Sequence, residues 1–346
     1  MERLNKSETL TAKVTYFNTD CSPSHLFNNL TTTDKSLLFI HNSEVQPRII
    51  TVDHKLFSEE ISDKISTYVS KFNSNETNEM LTIKCLYLNS VFYLAVGLYG
   101  GFKLWSSDGN RLLFQIPAKV KDAEKPYAFS SICEFASQEG KPADAILCGD
   151  NFGQLFLVVG YGQIWRSKLI YTNENIAITS ITAKNEIVSI AYENGEIHLI
   201  KIKGDFLNGS PTKIINPLKL PSLTTSIISL ESKSILVAGY LNGEVKLFDL
   251  NNGNLLSSVN AHLRMINSLQ TYRNYLITLG DDCQCNIFKI TSEEGEIKLV
   301  SNFELPDRMP VGLVIITKSN FFDLVISIYD STELALVNLI SNIILI

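Results

Sequence analysis

Six segments of the chain repeat one pattern of apolar and polar positions. A short apolar run enters a polar or glycine turn, and a second run follows in which apolar and polar residues alternate. The segments are LAVGLYGGFKLW (Leu94 to Trp105), ILCGDNFGQLFLV (Ile146 to Val158), VSIAYENGEIHLI (Val188 to Ile200), LVAGYLNGEVKLF (Leu236 to Phe248), LITLGDDCQCNIF (Leu276 to Phe288) and LVISIYDSTELALV (Leu324 to Val337). Five positions before the last residue of each stand Gly100, Gly153, Gly195, Gly243, Cys283 and Thr332, spaced by 53, 42, 48, 40 and 49 residues. One more step back from Gly100 reaches Gln46, between Leu37 to Ile40 and Ile49 to Val52. Seven units of about 46 residues fill nearly the whole chain, and a period of that length marks a repeat architecture.

Each unit reads as a β-hairpin. The first run is a buried strand, and the second alternates so that one face packs and the other is wetter. Glycine at the turn admits the positive φ that a tight connection needs. The residues between hairpins supply two further strands, such as those around Met265 to Leu269 and Lys298 to Phe303. Four strands in 40 to 50 residues make one blade of a propeller. The pattern therefore predicts an all-β chain forming a single seven-bladed β-propeller over residues 1–346. A degraded first blade falls at about residues 32–56, and later hairpins at 94–105, 146–158, 188–200, 236–248, 276–288 and 324–337. Phe57, Ile61, Ile65 and Val69 fit either a helix or an interrupted strand, and Lys203 to Ser222 reads as a long connection or a blade insertion.

The fifth of these hairpins carries Ala261-His262, Thr278, Asp282 and Phe288 at positions that resemble the Gly-His, Thr or Ser, Asp and Trp positions of the WD-repeat family. The resemblance is strongest over residues 238–290. It implies a bracing hydrogen-bonded chain through His262, Asp282 and Thr278, cut short because Phe288 has no indole N–H to donate. The other blades depart further: Asn242 and Asn194 stand at the Asp position, Tyr99 and Phe152 replace it with rings, and only Trp105 keeps the Trp. The family also implies that an N-terminal strand completes the last blade. Leu10 to Phe17 has strand character, so it is expected to pair beside Leu334 to Ile346 and close the ring. Closure would remove two open edges.

The chain of 346 residues is 45% hydrophobic with a formal net charge of −6. That is ample material for a core, and the charge lacks the positive field that a phosphate backbone selects, so nucleic acid is not an expected partner. No run of about 20 apolar residues exists, so membrane insertion is not expected either. The N-terminal MERLNKSETLTAK has no apolar core of a secretory signal. The expected location is the cytoplasm, with the cytoskeleton or the ciliary axoneme as a narrower alternative. The six cysteines are then expected to be reduced and mostly buried.

Enzyme signatures such as G-x-x-x-x-G-K-[ST], H-E-x-x-H and G-x-S-x-G do not occur. Val159-Gly160-Tyr161-Gly162 reads as a hairpin turn. Cys283 and Cys285 would share a strand face, without the second pair that zinc needs. His198 is expected to face solvent, His262 to be structural, and Asp281-Asp282 to supply a turn residue and the bracing acid. No catalytic residue, cofactor, metal or small-molecule substrate is expected. The candidate partner-binding residues are the rings near the turns: Tyr99, Phe152, Tyr192, Tyr240 and Tyr329. Such rings make interface hot spots, or they pack between blades.

The expected function is a non-enzymatic protein–protein interaction scaffold, a subunit or adaptor of a larger assembly. One alternative is a component of a ciliary or axonemal complex. Another is a substrate receptor of a cullin-type ubiquitin ligase, although no Asp-x-Arg follows Trp105, Phe248 or Phe288. An enzyme using the central channel would need inward carboxylates or a metal, and the inner strands at Thr179 to Thr182 and Thr225 to Leu230 are not of that composition.

Overall fold

The computed structural model describes residues 6–33, 36–42, 47–53, 67–69, 78–106, 109–117, 126–136, 140–161, 164–173, 175–202, 210–215, 222–230, 233–291, 294–318 and 321–345. These residues form seven four-stranded antiparallel sheets. Blade 1 spans residues 30–69, blade 2 80–117, blade 3 129–172, blade 4 178–215, blade 5 222–260 and blade 6 266–304. Blade 7 takes three strands from 310–345, and its outermost strand is Lys6–Asn18. The chain is a seven-bladed β-propeller whose first and last segments share one sheet.

That shared sheet is the longest pairing in the molecule, running from Lys6 opposite Leu345 to Asn18 opposite Glu333. The closing strand thus extends beyond the expected Leu10 to Phe17. Leu10 and Phe17 are buried on it. Arg308 lies 4.1 Å from the Tyr16 ring centroid and donates to Glu333, which ties the closing strand to the last blade.

Continuous apolar runs such as Ala145–Asp150, Ser234–Tyr240 and Tyr275–Gly280 bury side chains on both faces of a blade, so the core is divided. Seven hydrophobic clusters lie between consecutive blades around the ring. Burying each large aliphatic side chain in them is worth about 1.5–3 kcal/mol before conformational entropy is subtracted. The inner strands of blades 2 to 7 each carry a register shift near their start. An extra residue there bends the strand and increases its twist, as the crowded hub demands.

Polar side chains stitch every blade to the next. Thr31 Oγ1 accepts the Cys85 N–H at 2.8 Å, joining blades 1 and 2. Lys84 Nζ donates to the Ile132 carbonyl at 3.3 Å, and Ser131 Oγ accepts the Ile181 N–H at 2.8 Å. The Ser180 and Thr225 hydroxyls meet at 3.0 Å, and those of Ser226 and Thr271 at 2.8 Å. Gln270 Nε2 donates to the Leu313 carbonyl, and Ser327 Oγ donates to Asn29 Oδ1 to join blade 7 to blade 1.

The segment Lys203 to Ser222 is not purely a connection, because Ser210–Ile215 forms the outer strand of blade 4. Of the fourfold apolar series, Val69 ends the outer strand of blade 1, while Phe57, Ile61 and Ile65 lie outside the described residues. No helix among the described residues is long and apolar enough to cross a membrane.

Candidate functional site

One end of the ring gathers the turns between the second and third strands and the connections from each blade to the next. Backbone bonds lace the two sets together. Asn175 N–H donates to the Phe152 carbonyl, Ala261 N–H to Gly243, Asp281 N–H to Met265 and Tyr329 N–H to Met309. The turns are built alike. Gly100, Gly153, Gly195 and Gly243 have φ of 91°, 77°, 87° and 81°. Cys283 takes the same role at φ 62°, so it sits in the turn and does not share a strand face with Cys285. In blade 7 the left-handed residue is Asp330, not Thr332.

The position that holds Asp in blade 6 does one common job. Its side-chain oxygen accepts the N–H two residues on, folding the turn back on itself. Asp282 accepts from Gln284, Asn194 from Glu196, Asn242 from Glu244 and Ser331 from Glu333. Blade 3 has Phe152 there, and Asp150 takes over by accepting from both Phe152 and Gln154.

Blade 6 adds the histidine. His262 Nδ1 lies 2.9 Å from Asp282 Oδ1, and Nε2 lies 2.9 Å from Thr278 Oγ1. A carboxylate only accepts, so Nδ1 carries the proton; with the ring neutral, Nε2 accepts the Thr278 O–H in preference to the Asn286 carbonyl, 3.4 Å from the same hydroxyl. Asp282 Oδ2 also accepts the Leu263 N–H at 2.8 Å, which ties the blade connection to the turn. Burial holds the His262 imidazole below its usual titration range, against the opposing pull of Asp282. Phe288 is buried and packs apolar in the cluster between blades 5 and 6. Asp281 accepts from Asn267 Nδ2, which also donates to the Pro310 carbonyl.

His198 is a correction to the sequence expectation. It is 3% exposed, not solvent-facing. Its Nδ1 lies 2.9 Å from the Tyr171 hydroxyl of blade 3, its Nε2 lies 3.1 Å from Glu196 Oε2, and its ring lies 4.7 Å from the Tyr192 ring. Strand alternation alone misplaced it, because the outer strand of the neighbouring sheet and the ring of Tyr192 cover its face.

The five candidate rings divide sharply. Tyr99 is 37% exposed and Tyr329 47% exposed, and Tyr329 stands 5.5 Å from the His25 ring. Phe152 is half-buried and stacks on Tyr127 at 5.8 Å. Tyr192 and Tyr240 are fully buried at 0% exposure, so neither can present its ring to a partner. Position relative to the left-handed residue explains the division. Tyr99, Phe152 and Tyr329 stand one place before Gly100, Gly153 and Asp330, on the turn itself. Tyr192 and Tyr240 stand three places before Gly195 and Gly243, at the end of the second strand, where they enter the clusters between blades. Leu263 was missed by sequence reasoning. It is 93% exposed in the connection leading to blade 6. Its signal was an apolar residue directly after His262, whose inward aim turns its neighbour outward.

The six cysteines form no disulfide, and Cys133, Cys148 and Cys285 are buried. Among the described residues no three of His, Cys, Asp and Glu converge as a metal site would require.

Fold and geometry together define a β-propeller with a turn-lined end of exposed rings. Its likeness to a chain in the crystal structure of the Mitotic Checkpoint Complex has a TM-score of 0.69 at 9% identity, covering 94% of this chain and 90% of that one. Raptor from Chaetomium thermophilum aligns with a TM-score of 0.67 at 11% identity, over 95% of this chain and 29% of Raptor. No family model and no curated protein matches the sequence.

Proposed function

We propose that the chain is a protein-interaction scaffold, a subunit or adaptor of a larger assembly that acts by binding and not by catalysis. The observation that carries this is the exposure of Leu263, Tyr329 and Tyr99 on turns and connections at one end of a rigid ring. Turns on a closed scaffold are where binding residues concentrate. Large rings with a polar tip give contact area at low entropic cost. The likeness in shape to a chain of a named complex supports the reading.

Finer readings belong to the same proposal. The residues from Ala238 to Ile290 resemble WD repeat-containing protein 54. A cytoplasmic chain of that kind would serve a signalling adaptor, a ciliary or axonemal assembly, or a cullin-type ligase. Purification of the tagged protein from its own cells at native level, followed by mass spectrometry, tests all of these. Axonemal proteins in fixed ratio place it in the cytoskeleton, and cullin components make it a ligase receptor. Recovery of no protein in fixed ratio, from extracts where the chain stays folded, overturns the scaffold reading.

A further inference from the structure

The inner strands surround an axial channel with a cavity of about 350 Å³. Its described lining holds one charged group, Lys84, and no carboxylate. Apart from Phe27 and Cys85, the rest is aliphatic or carries hydroxyl and amide groups, among them Thr31, Ser131, Ser180, Thr225 and Gln270. The whole chain carries −6, so a cavity whose sole formal charge is positive runs against its average.

The donors around Lys84 have a consistent sense. Lys84 is half-buried and its Nζ gives one N–H to the Ile132 carbonyl, which leaves two of its three donors. No ion pair of Lys84 occurs among the described residues. The Thr31 hydroxyl of blade 1 accepts from the Cys85 N–H, and the Ser131 hydroxyl of blade 3 accepts from the Ile181 N–H. Each of these hydroxyls has its acceptor side engaged by backbone, and among the described residues neither gives its own O–H to another group. Three successive blades thus offer donors from residues that line one cavity. An unpaired ammonium in a partly enclosed site is costly unless an anion meets it. A single cation suits one anionic group, and the hydroxyls and the Gln270 amide suit a polar body beside it. Phosphate oxygens accept such bonds strongly.

We propose that the axial channel binds a phosphate monoester, with Lys84, Thr31 and Ser131 holding the phosphate oxygens. The molecule is held as a ligand and no bond in it is broken. The site is separate from the turn-lined end, and it stands whether or not the scaffold reading does.

Titration calorimetry on the full chain, with glycerol 3-phosphate and inorganic phosphate as probes at low ionic strength, tests this. Saturable binding with one site and a dissociation constant of about 1 mM or below is expected. Lys84→Met weakens it about tenfold or more, as loss of a charge-assisted contact does, and Lys298→Met, on an exposed outer strand, leaves it unchanged. Tighter binding of glycerol 3-phosphate than of inorganic phosphate shows that the polar lining reads the body of the ester. Absence of saturable binding, or equal affinity in a folded Lys84→Met protein, overturns the proposal. If Lys84→Met does not fold, crystals of the unaltered protein soaked in tungstate decide. Anomalous density beside Lys84 supports the site, and density only elsewhere, or none, overturns it.

Discussion

Ser327 Oγ donates to Asn29 Oδ1 at 3.0 Å across 298 residues of sequence, and the same hydroxyl accepts the Gly312 N–H at 2.8 Å. Both partners are buried, so the hydroxyl is the polar joint at which the last blade meets the first. Ser327→Ala strands a buried acceptor and a buried N–H together. Unsatisfied buried groups cost about 1–3 kcal/mol each, so a loss of about 2 kcal/mol or more is expected in urea unfolding. A change within about 0.5 kcal/mol, the usual range for an inconsequential surface substitution, would show that the joint is not needed.

Ring closure makes a second prediction. The strand Lys6–Asn18 covers the edge of Glu333–Leu345 along its full length. Without residues 1–18 that edge is open and the apolar cluster holding Leu10 loses a wall. The shortened chain is expected to self-associate on size-exclusion chromatography. A synthetic peptide of residues 6–18, added in trans, should return its elution to that of the unaltered chain. A shortened chain no larger than the unaltered one without the peptide would sink the idea.

The buried histidine makes stability depend on pH in a definite direction. Burial depresses the folded-state pKa of His262 below its ordinary value. Between the folded and unfolded pKa values the unfolded chain binds the extra proton, so stability rises with pH there. The contribution is full above the unfolded value of about 6.5 and is lost as pH falls from there toward the folded value. Replacing His262 with Asn removes this term. The stability gap between wild type and His262→Asn is therefore expected to narrow from about pH 7.5 to about pH 5.5 in urea unfolding. A gap that widens on acidification would contradict the assigned neutral imidazole.

Period, turn glycines and strand alternation were legible because each follows from local backbone rules. A turn residue recurring every 40 to 53 positions marks a repeating unit of that length, and the left-handed φ at Gly100, Gly153, Gly195, Gly243 and Cys283 is its backbone cause. The bracing chain of blade 6 was also legible, since His262, Thr278 and Asp282 stand at motif spacings. Side-chain direction at the rim was not. A ring one place before the left-handed residue stands on the turn, and a ring three places before it ends the second strand. Apolar patterning does not separate the two, and the blade that covers the second kind is distant in sequence. Local pattern therefore groups Tyr192 and Tyr240 with Tyr99 and sets His198 facing solvent, whereas Tyr192, Tyr240 and His198 lie in the interior and Tyr99 does not. The blade-to-blade stitches were equally hidden, because Ser and Thr on an inner strand look the same whether or not they bond to the next blade.

The division of the rings yields the last prediction. Leu263 and Tyr329 are exposed on connections and turns, while Tyr240 fills the cluster between blades 4 and 5. Leu263→Asp combined with Tyr329→Ala is expected to leave the urea midpoint close to wild type, because neither side chain supports the core. It should reduce recovery of co-purifying protein severalfold, as removal of exposed anchors does at interfaces. Tyr240→Ala should behave in the opposite way. Truncating a buried aromatic costs about 3–5 kcal/mol, so the protein is destabilised first, and any loss of partner follows the loss of fold. Measuring both variants by unfolding and by native-level purification separates the two roles. If the double variant recovers its partners undiminished, the binding surface lies away from this end of the ring. If Tyr240→Ala keeps full stability, the burial that distinguishes the two groups of rings is wrong.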